Sequence, residues 1–208
     1  MEIRQMRTAD LTPTWRAQLD QLILDSFPPA QRQPFPEFLQ AVDEGYYHLF
    51  LGLQAENMVG FAAVNNLDCG PVFLLAYLAV DPLTRSGGYG GQLLIFVQKY
   101  LCAQGVHALL LEIEALAEAS LDPADPRRRR LAFYQRHGAR LLDFPYRAPD
   151  LSDPQAEKSL AMDLLWLPCT DQAPDPSPDE LRRCVRSIYL GDYNLSPDHP
   201  LVAALNHI

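Results

Sequence analysis

The sequence predicts an α+β fold, in which a mostly antiparallel sheet becomes parallel where helices cross between strands. Apolar residues at helical spacing indicate amphipathic helices near 15–23 and 93–101. Two unbroken apolar runs, 71–80 and 107–114, are typical of central strands that are buried on both faces. One helix separates these runs, so a right-handed crossover would place them side by side as parallel strands.

The front of the chain predicts one strand followed by two helices. A weakly alternating segment, 1–7, is the first strand. The apolar stripe from Trp15 to Ile23 predicts a helix that ends before Pro28, because proline restricts the residue that precedes it. A second helix is expected over Phe35–Glu44, with Gly45 as its stop.

The middle of the chain predicts strands that flank one helix. Two apolar runs joined by a polar turn, Tyr46–Leu53 and Met58–Asn65, indicate a β-hairpin. The central strand 71–80 comes next, and a glycine-rich loop leads to a helix that ends at Gly105. The strand 107–114 follows that helix.

The rest of the predicted domain contains a helix and two strands. The helix covers Arg127–His137, with Gly138 as its cap, and the strands cover 139–144 and 160–167. The predicted order is therefore β-α-α-β-β-β-α-β-α-β-β, and it predicts a domain over residues 1–167.

Residues 168–208 read as a linker and a C-terminal helical tail. The stretch 170–178 is rich in Asp and Pro, and Ser177-Pro178-Asp179-Glu180 forms a capping box that starts a helix. An apolar stripe from Leu181 to Ile188 then predicts that this helix packs on the domain or on a second subunit.

Composition limits the kind of protein. Seventeen basic against 26 acidic residues give a net charge of −9, which disfavours nucleic acid and anionic membranes as partners. No run approaches the ~20 apolar residues of a membrane span, and the charged N-terminus does not resemble a secretory signal. The four cysteines form no C-x-x-C pair and the histidines lack ligand spacing, so we expect reduced thiols, a cytoplasmic location and no metal.

The segment 78–94, LAVDPLTRSGGYGGQLL, carries the clearest chemical signal. Arg85 to Gly90 reads R-x-x-G-x-G between a buried strand and a helix. Glycines let an anion approach the backbone, the N-terminus of the helix adds positive potential, and Arg85 offers a side-chain clamp for phosphate. The loop lacks the Gly-Lys-Ser/Thr of a nucleotide P-loop and the G-x-G-x-x-G of a dinucleotide site.

These residues resemble the acetyl-coenzyme A signature of the GNAT-type N-acetyltransferases. A second element, Phe133 to Ala139, is similar to the F-Y-x-x-x-G-F motif of that family, and the resemblance covers about residues 1–167. It implies a GNAT fold of α/β/α layers, with about seven strands and a splayed parallel pair. It also implies transfer of an acetyl or short acyl group from acetyl-CoA to the amine of a small molecule or peptide.

The resemblance also implies which residues contact the co-substrate. The backbone of Leu78, Ala79 and Val80 would pair with the pantetheine arm. The pyrophosphate would be held by Arg85, Ser86, Gly87, Gly88, Tyr89, Gly90 and Gly91. Three positions depart from the family: Arg127 stands where an asparagine often contacts the cofactor, Arg130 where a small residue is usual, and Ala139 where phenylalanine is usual.

Three residues are candidates for proton transfer. Tyr134 would approach the thioester sulfur as the acid, or it is simply a lining tyrosine. Glu112 and Glu114 alternate on one strand and share a face, so either is a candidate base; alternatively they lie in solvent or pair with arginines of 127–130. The four arginines themselves oppose the helix dipole and require carboxylates, cofactor phosphates or an acidic substrate group nearby.

Two other functions remain open from the sequence. The chain could be a GNAT-fold module that senses acyl-CoA without catalysis, or an interaction protein that uses its tail helix. A homodimer through that tail is also possible.

Overall fold

The computed structural model describes residues 1–84, 87–152, 158–170 and 173–207. Within this part of the chain the strands are β1 (Glu2–Met6), β2 (His48–Gln54), β3 (Asn57–Asn66), β4 (Val72–Val80), β5 (Ala108–Glu114), β6 (Arg140–Leu141), β7 (Tyr146–Pro149) and β8 (Ser159–Pro168). The helices are α1 (Pro13–Ser26), α2 (Phe35–Asp43), α3 (Tyr89–Cys102), α4 (Pro126–Arg136), α5 (Pro178–Ser187) and α6 (Pro200–Ala204). No helix in the described ranges is long and apolar enough to cross a membrane.

The strands form a mixed sheet in the order β1-β2-β3-β4-β5-β8-β6, and β7 pairs with β8. β1 and β2, β2 and β3, and β5 and β8 run antiparallel, whereas β4 and β5 are the parallel pair. The predicted fold class is therefore confirmed, with eight strands rather than about seven in the described part.

The chain divides into two compact units. The first contains residues 1–65 and 75–101 with the described part of 150–158, and the second contains 66–74, 102–149 and the described part of 159–208. β4 contributes residues to both units. The predicted division at residue 167 stays a prediction.

The first unit has a core of helix stripes and aromatic rings. The predicted stripe of α1 is buried, with Leu19 fully inaccessible, and Phe38 of α2 packs edge-on against Phe61 and Tyr77. Thr12 caps α1 by accepting a hydrogen bond from Trp15 N at 3.1 Å. The helix ends at Ser26, before the two prolines, as predicted.

The β2–β3 hairpin is confirmed, and Gly60 explains how closely β3 approaches its neighbour. A Cβ at Gly60 would lie 2.7 Å from the Ala79 carbonyl oxygen. Any side chain there would push the backbone of β4 away, because real Cβ atoms do not come so close to a backbone oxygen.

The second unit is built on β5 and β8. Their register pairs Leu110 with Trp166 and Glu112 with Leu164, and the leucines of β5 are almost fully buried. Asp125 caps the N-terminus of α4, because its side chain accepts from Arg127 N at 2.9 Å and Pro126 begins the helix.

The segment after α4 differs from the prediction. The expected strand 139–144 is reduced to Arg140–Leu141, and Tyr146–Pro149 forms an additional strand, β7. Pro145 precedes this short strand and Pro149 is its last residue, and proline in a sequence argues against a strand. These residues form a strand because they pair with β8, and not because their sequence alternates.

The tail helix forms as predicted. The Ser177 hydroxyl accepts from Glu180 N at 3.2 Å, and Leu181, Cys184, Val185 and Ile188 are buried within the second unit. A π-helical turn, Ile188–Asp192, follows α5.

The expectation of four free thiols is wrong. Cys69 is bonded to Cys184 and Cys102 to Cys169, with Cα–Cα distances of 5.1 and 5.4 Å. Sequence spacing did not reveal these pairs because 115 and 67 residues separate their members. Disulfides are typical of oxidising compartments, so the cysteines no longer support a cytoplasmic location. That location stays a prediction.

Candidate active site

The connection from β4 to α3 is held by a compact network in the first unit. Asp81 N donates to Val59 O at 3.0 Å, and the Asp81 carboxylate accepts from Leu83 N at 2.8 Å. Thr84 N then donates to Asp81 O, and Gly87 N donates to Thr84 O. Arg85 and Ser86, two of the predicted phosphate-binding residues, lie outside the described residues.

Two glycines of this connection are required by its geometry. Gly88 has a φ of +73°, in the left-handed region that favours glycine. A Cβ at Gly87 would lie 2.8 Å from the ring of Tyr89. Both positions therefore let the chain turn sharply into α3.

The N-terminus of α3 is suited to an anion. Gly88 O accepts the first helical hydrogen bond, from Gln92 N, so the amides of Tyr89, Gly90 and Gly91 precede the intrahelical pattern. The first turn contains no acidic side chain that would oppose an anion.

The side chain of Tyr89 ties this helix start to the hairpin. Its hydroxyl donates to the Gln54 carboxamide oxygen at 3.1 Å. A cavity of about 360 Å³ lies at the same place in the first unit; it is lined by Gln18, Gln54, Asn57, Met58, Val59, Asp81, Leu83 and Thr84. The surface beside the turn is therefore concave and mostly polar.

The predicted pantetheine-pairing strand is the end of β4. Ala79 is buried, while Leu78 and Val80 are half-buried. Their backbone contacts with a cofactor stay a prediction.

Tyr134 lies in the second unit, on α4, and is 8% exposed. Burial raises the pKa of its hydroxyl to about 12, and the nearby Arg130 guanidinium offsets part of this increase. Among the described residues its hydroxyl has no hydrogen-bond partner. The phenol is thus protonated at neutral pH and able to donate.

The arginine run at the start of α4 is compensated within the second unit. Arg130 forms an ion pair with Glu114, and Arg128 Nε donates to Ser120 O at 2.6 Å. Arg127 donates to the backbone oxygen of Glu118 and lies 3.8 Å from its carboxylate. Protein acceptors therefore engage Arg127, which was predicted to contact the cofactor; that contact is untested.

Glu112 and Glu114 are both half-buried but have different partners. Glu114 faces a cation, Arg130. Glu112 Oε1 accepts hydrogen bonds from the hydroxyls of Tyr146 and, at 2.9 Å, Tyr193. Burial raises the pKa of Glu112, and these two hydrogen bonds only partly counteract that effect.

Comparison with known protein families identifies the family of this chain. The model of the Acetyltransferase (GNAT) family matches residues 15–139, more than half of the chain. The chain belongs to the GNAT acetyltransferase family. The matched region includes the β4–α3 connection, Glu112, Glu114 and Tyr134.

Solved GNAT structures share the fold at low sequence identity. An acetyltransferase assigned to the GNAT family from Bacteroides thetaiotaomicron is 22% identical with a TM-score of 0.72, covering 94% of this chain and 100% of that one. The ribosomal-protein-S18-alanine N-acetyltransferase of Escherichia coli is 19% identical with a TM-score of 0.56, covering 85% and 98%. An aminoglycoside 6'-N-acetyltransferase complexed with coenzyme A is 15% identical with a TM-score of 0.62, covering 85% and 100%.

No curated protein sequence matches the chain significantly. At these identities the neighbours establish the fold and not the substrate. Members of the GNAT family use acetyl-CoA, and the glycines at 87 and 88 fit the close backbone approach that a pyrophosphate needs.

Sequence reasoning missed the hydrogen-bond partners of Glu112 in this GNAT chain. Tyr146 lies on the unpredicted strand β7, and Tyr193 lies beyond the predicted apolar stripe of the tail helix. The sequence offered one signal, the two tyrosines, Tyr189 and Tyr193, that follow the apolar stripe of the tail. The described residues contain no group of three or more His, Cys, Asp or Glu side chains placed to hold a metal ion.

Proposed function

We propose that this chain transfers an acetyl or other short acyl group from acetyl-CoA to an amine, by direct attack in a ternary complex. One observation carries the proposal: a GNAT family chain retains a glycine-dependent turn into the uncompensated N-terminus of α3. Leu78–Val80 and residues 85–91 would bind the pantetheine and pyrophosphate, with Arg127 as a further contact.

The reaction needs few groups. The amine nitrogen attacks the thioester carbonyl, a C–N bond forms, the C–S bond breaks, and the amine loses a proton to a base. Glu112 suits the base role better than Glu114, because among the described residues no cation pairs with the Glu112 carboxylate, whereas Arg130 pairs with that of Glu114. Holding both reactants together supplies much of the remaining rate enhancement.

Tyr134 would act at the departing sulfur. Its pKa of about 12 exceeds the ~8.5 of a thiol, so the phenol stabilises the thiolate by donating a hydrogen bond rather than by complete proton transfer. The thiolate then takes its proton from solvent.

The acceptor is proposed only as an amine of a small molecule or peptide. Neighbouring structures include enzymes named for an aminoglycoside and for an alanine of ribosomal protein S18. The test is therefore incubation of acetyl-CoA and the protein with kanamycin, a peptide with N-terminal alanine and spermidine, with mass detection of a 42-Da addition (one acetyl group) to the amine.

Tyr134→Phe gives the matched comparison. We expect it to lower kcat about 100-fold, the usual scale for losing one hydrogen-bond donor to a developing negative charge, while coenzyme A still stabilises the protein. Binding of coenzyme A by the wild type without transfer to any amine would favour the acyl-CoA sensor over the enzyme.

A further inference from the structure

Tyrosines from two distant segments surround Glu112 in the second unit. Tyr146 comes from β7, and Tyr193 comes from the tail, 81 residues beyond Glu112 in sequence. A third ring, Tyr189, stacks on Tyr146 with centroids 5.7 Å apart, and its hydroxyl donates to Arg147 O at 2.7 Å. The tail therefore reaches a candidate base of the family domain.

The two oxygens of Glu112 have unequal roles. Oε1 accepts both phenolic hydrogen bonds. Within the described ranges no group hydrogen-bonds to Oε2, and the Glu112 side chain is half-buried rather than fully enclosed. One oxygen is thus fixed in place while the other remains able to accept a proton.

The backbone of the tail presents Tyr193 by a specific turn. Tyr193 follows the π-helical turn Ile188–Asp192, and its N–H donates to Ile188 O at 3.1 Å. Such turns are rare and occur frequently at functional sites. The Cys69–Cys184 disulfide holds the preceding helix α5 covalently within the same unit.

The charged and titratable groups around Glu112 are few. Tyr146 faces it from β7, and Tyr189 and Tyr193 face it from the tail. Glu114, two residues along β5, is neutralised by Arg130 of α4. Among the described residues no cation contacts Glu112, so hydrogen bonds from phenols are what stabilise its charged form.

We propose that the C-terminal tail completes the active site, with Tyr193 as a positioning residue that holds Glu112 through Oε1 and leaves Oε2 to take the proton of the acceptor amine. This role rests on the proposed function. As the C–N bond forms, the N–H proton moves to Oε2, and solvent removes it after the amide has left.

Tyr193→Phe tests this role because it removes only the donor and keeps the ring. We expect the pKa of Glu112, followed by ¹³C NMR of labelled glutamate and assigned with Glu112→Gln, to rise by about one unit. The acid limb of the transfer rate, measured with the best amine of the panel, should move by the same amount. At a pH on that limb the rate would be about tenfold lower than that of the wild type.

Tyr189→Phe is the matched control. It removes another tail phenol, but that hydroxyl bonds to a backbone carbonyl and not to Glu112. We expect it to leave the pKa of Glu112 and the acid limb at the wild-type values, because no hydrogen bond to the carboxylate is lost.

The measurements distinguish failure of the positioning role from failure of the base role and of the proposed function. An unchanged pKa of Glu112 in Tyr193→Phe would overturn the positioning role, and a changed pKa with an unmoved acid limb would overturn the base role. If the wild type transfers acetyl to none of the amines, the proposed function fails and the base role with it. The NMR titration then still decides whether Tyr193 orients Glu112.

Discussion

At the scale of single residues, two glutamates on one face of β5 are distinguished by their partners. Alternation along the strand predicted the shared face but assigned both carboxylates the same role. The structure pairs Glu114 with Arg130 and leaves Glu112 between two phenols. The two glutamates differ because their partners come from segments distant in sequence, and no pattern of neighbouring residues predicts such partners.

We predict that Glu112→Gln lowers kcat about 100-fold, whereas Glu114→Gln lowers it less than tenfold. The two substitutions are chemically identical and lie two residues apart, so each controls for the other. Steady-state rates with the best amine measure the difference. A larger loss in Glu114→Gln would assign the base to Glu114 instead.

The pH dependence of the wild type follows from the same residue. A base must be deprotonated to act, and burial raises the pKa of Glu112 above the ordinary value of a glutamate. The rate should therefore fall as pH decreases through a value above about 4.5, the ordinary value. Glu112→Gln should lose this acid limb, and a limb that persists in that variant would argue against the assignment.

At the scale of elements, the disulfides are the main departure from expectation. Cys69–Cys184 joins the segment before β4 to helix α5, and Cys102–Cys169 joins the end of α3 to the residue after β8. Both pairs join segments that are far apart in sequence, which is why spacing of cysteines could not predict them.

We predict that Cys69→Ser with Cys184→Ser lowers the free energy of unfolding by about 4 kcal/mol, because a long loop in the unfolded chain is released. In a protein of this size the loss corresponds to a Tm lower by roughly 10 °C in calorimetry. Peptide mapping without reductant should recover both cross-linked peptides. Four thiols that alkylate freely in the native protein would contradict the pairing.

Most elements could be predicted because their signals are local. Caps at Asp125 and Ser177, the α1 stripe and the β4 run each depend on residues close in sequence. β7 could not be predicted in the same way. It has only four residues, Pro145 precedes it and Pro149 ends it, and these residues form a strand because they pair with β8.

At the scale of the whole molecule, family membership and fold agree. The glycine loop could be predicted from sequence because its chemistry depends on adjacent residues. The surroundings of Glu112 could not, because they combine β5, β7 and the tail. The proposed co-substrate loop is therefore predictable from local sequence, whereas the surroundings of the proposed base are not.

The most direct test of the account is the thermal stability of three proteins with and without excess coenzyme A: the wild type, Gly88→Asn and Gly88→Asp. The two variants have the same size and the same tolerance of a positive φ, and neither side chain meets a described atom within 4 Å at Cβ. They differ in the negative charge that Asp would place at the pyrophosphate.

At about 100 times its dissociation constant, coenzyme A should stabilise the wild type by about 2.7 kcal/mol, a Tm increase of roughly 5–10 °C. Gly88→Asn should keep most of this increase and Gly88→Asp should lose it. An equal increase in Gly88→Asp and the wild type would place the ligand elsewhere, and no increase in the wild type would contradict the proposed function.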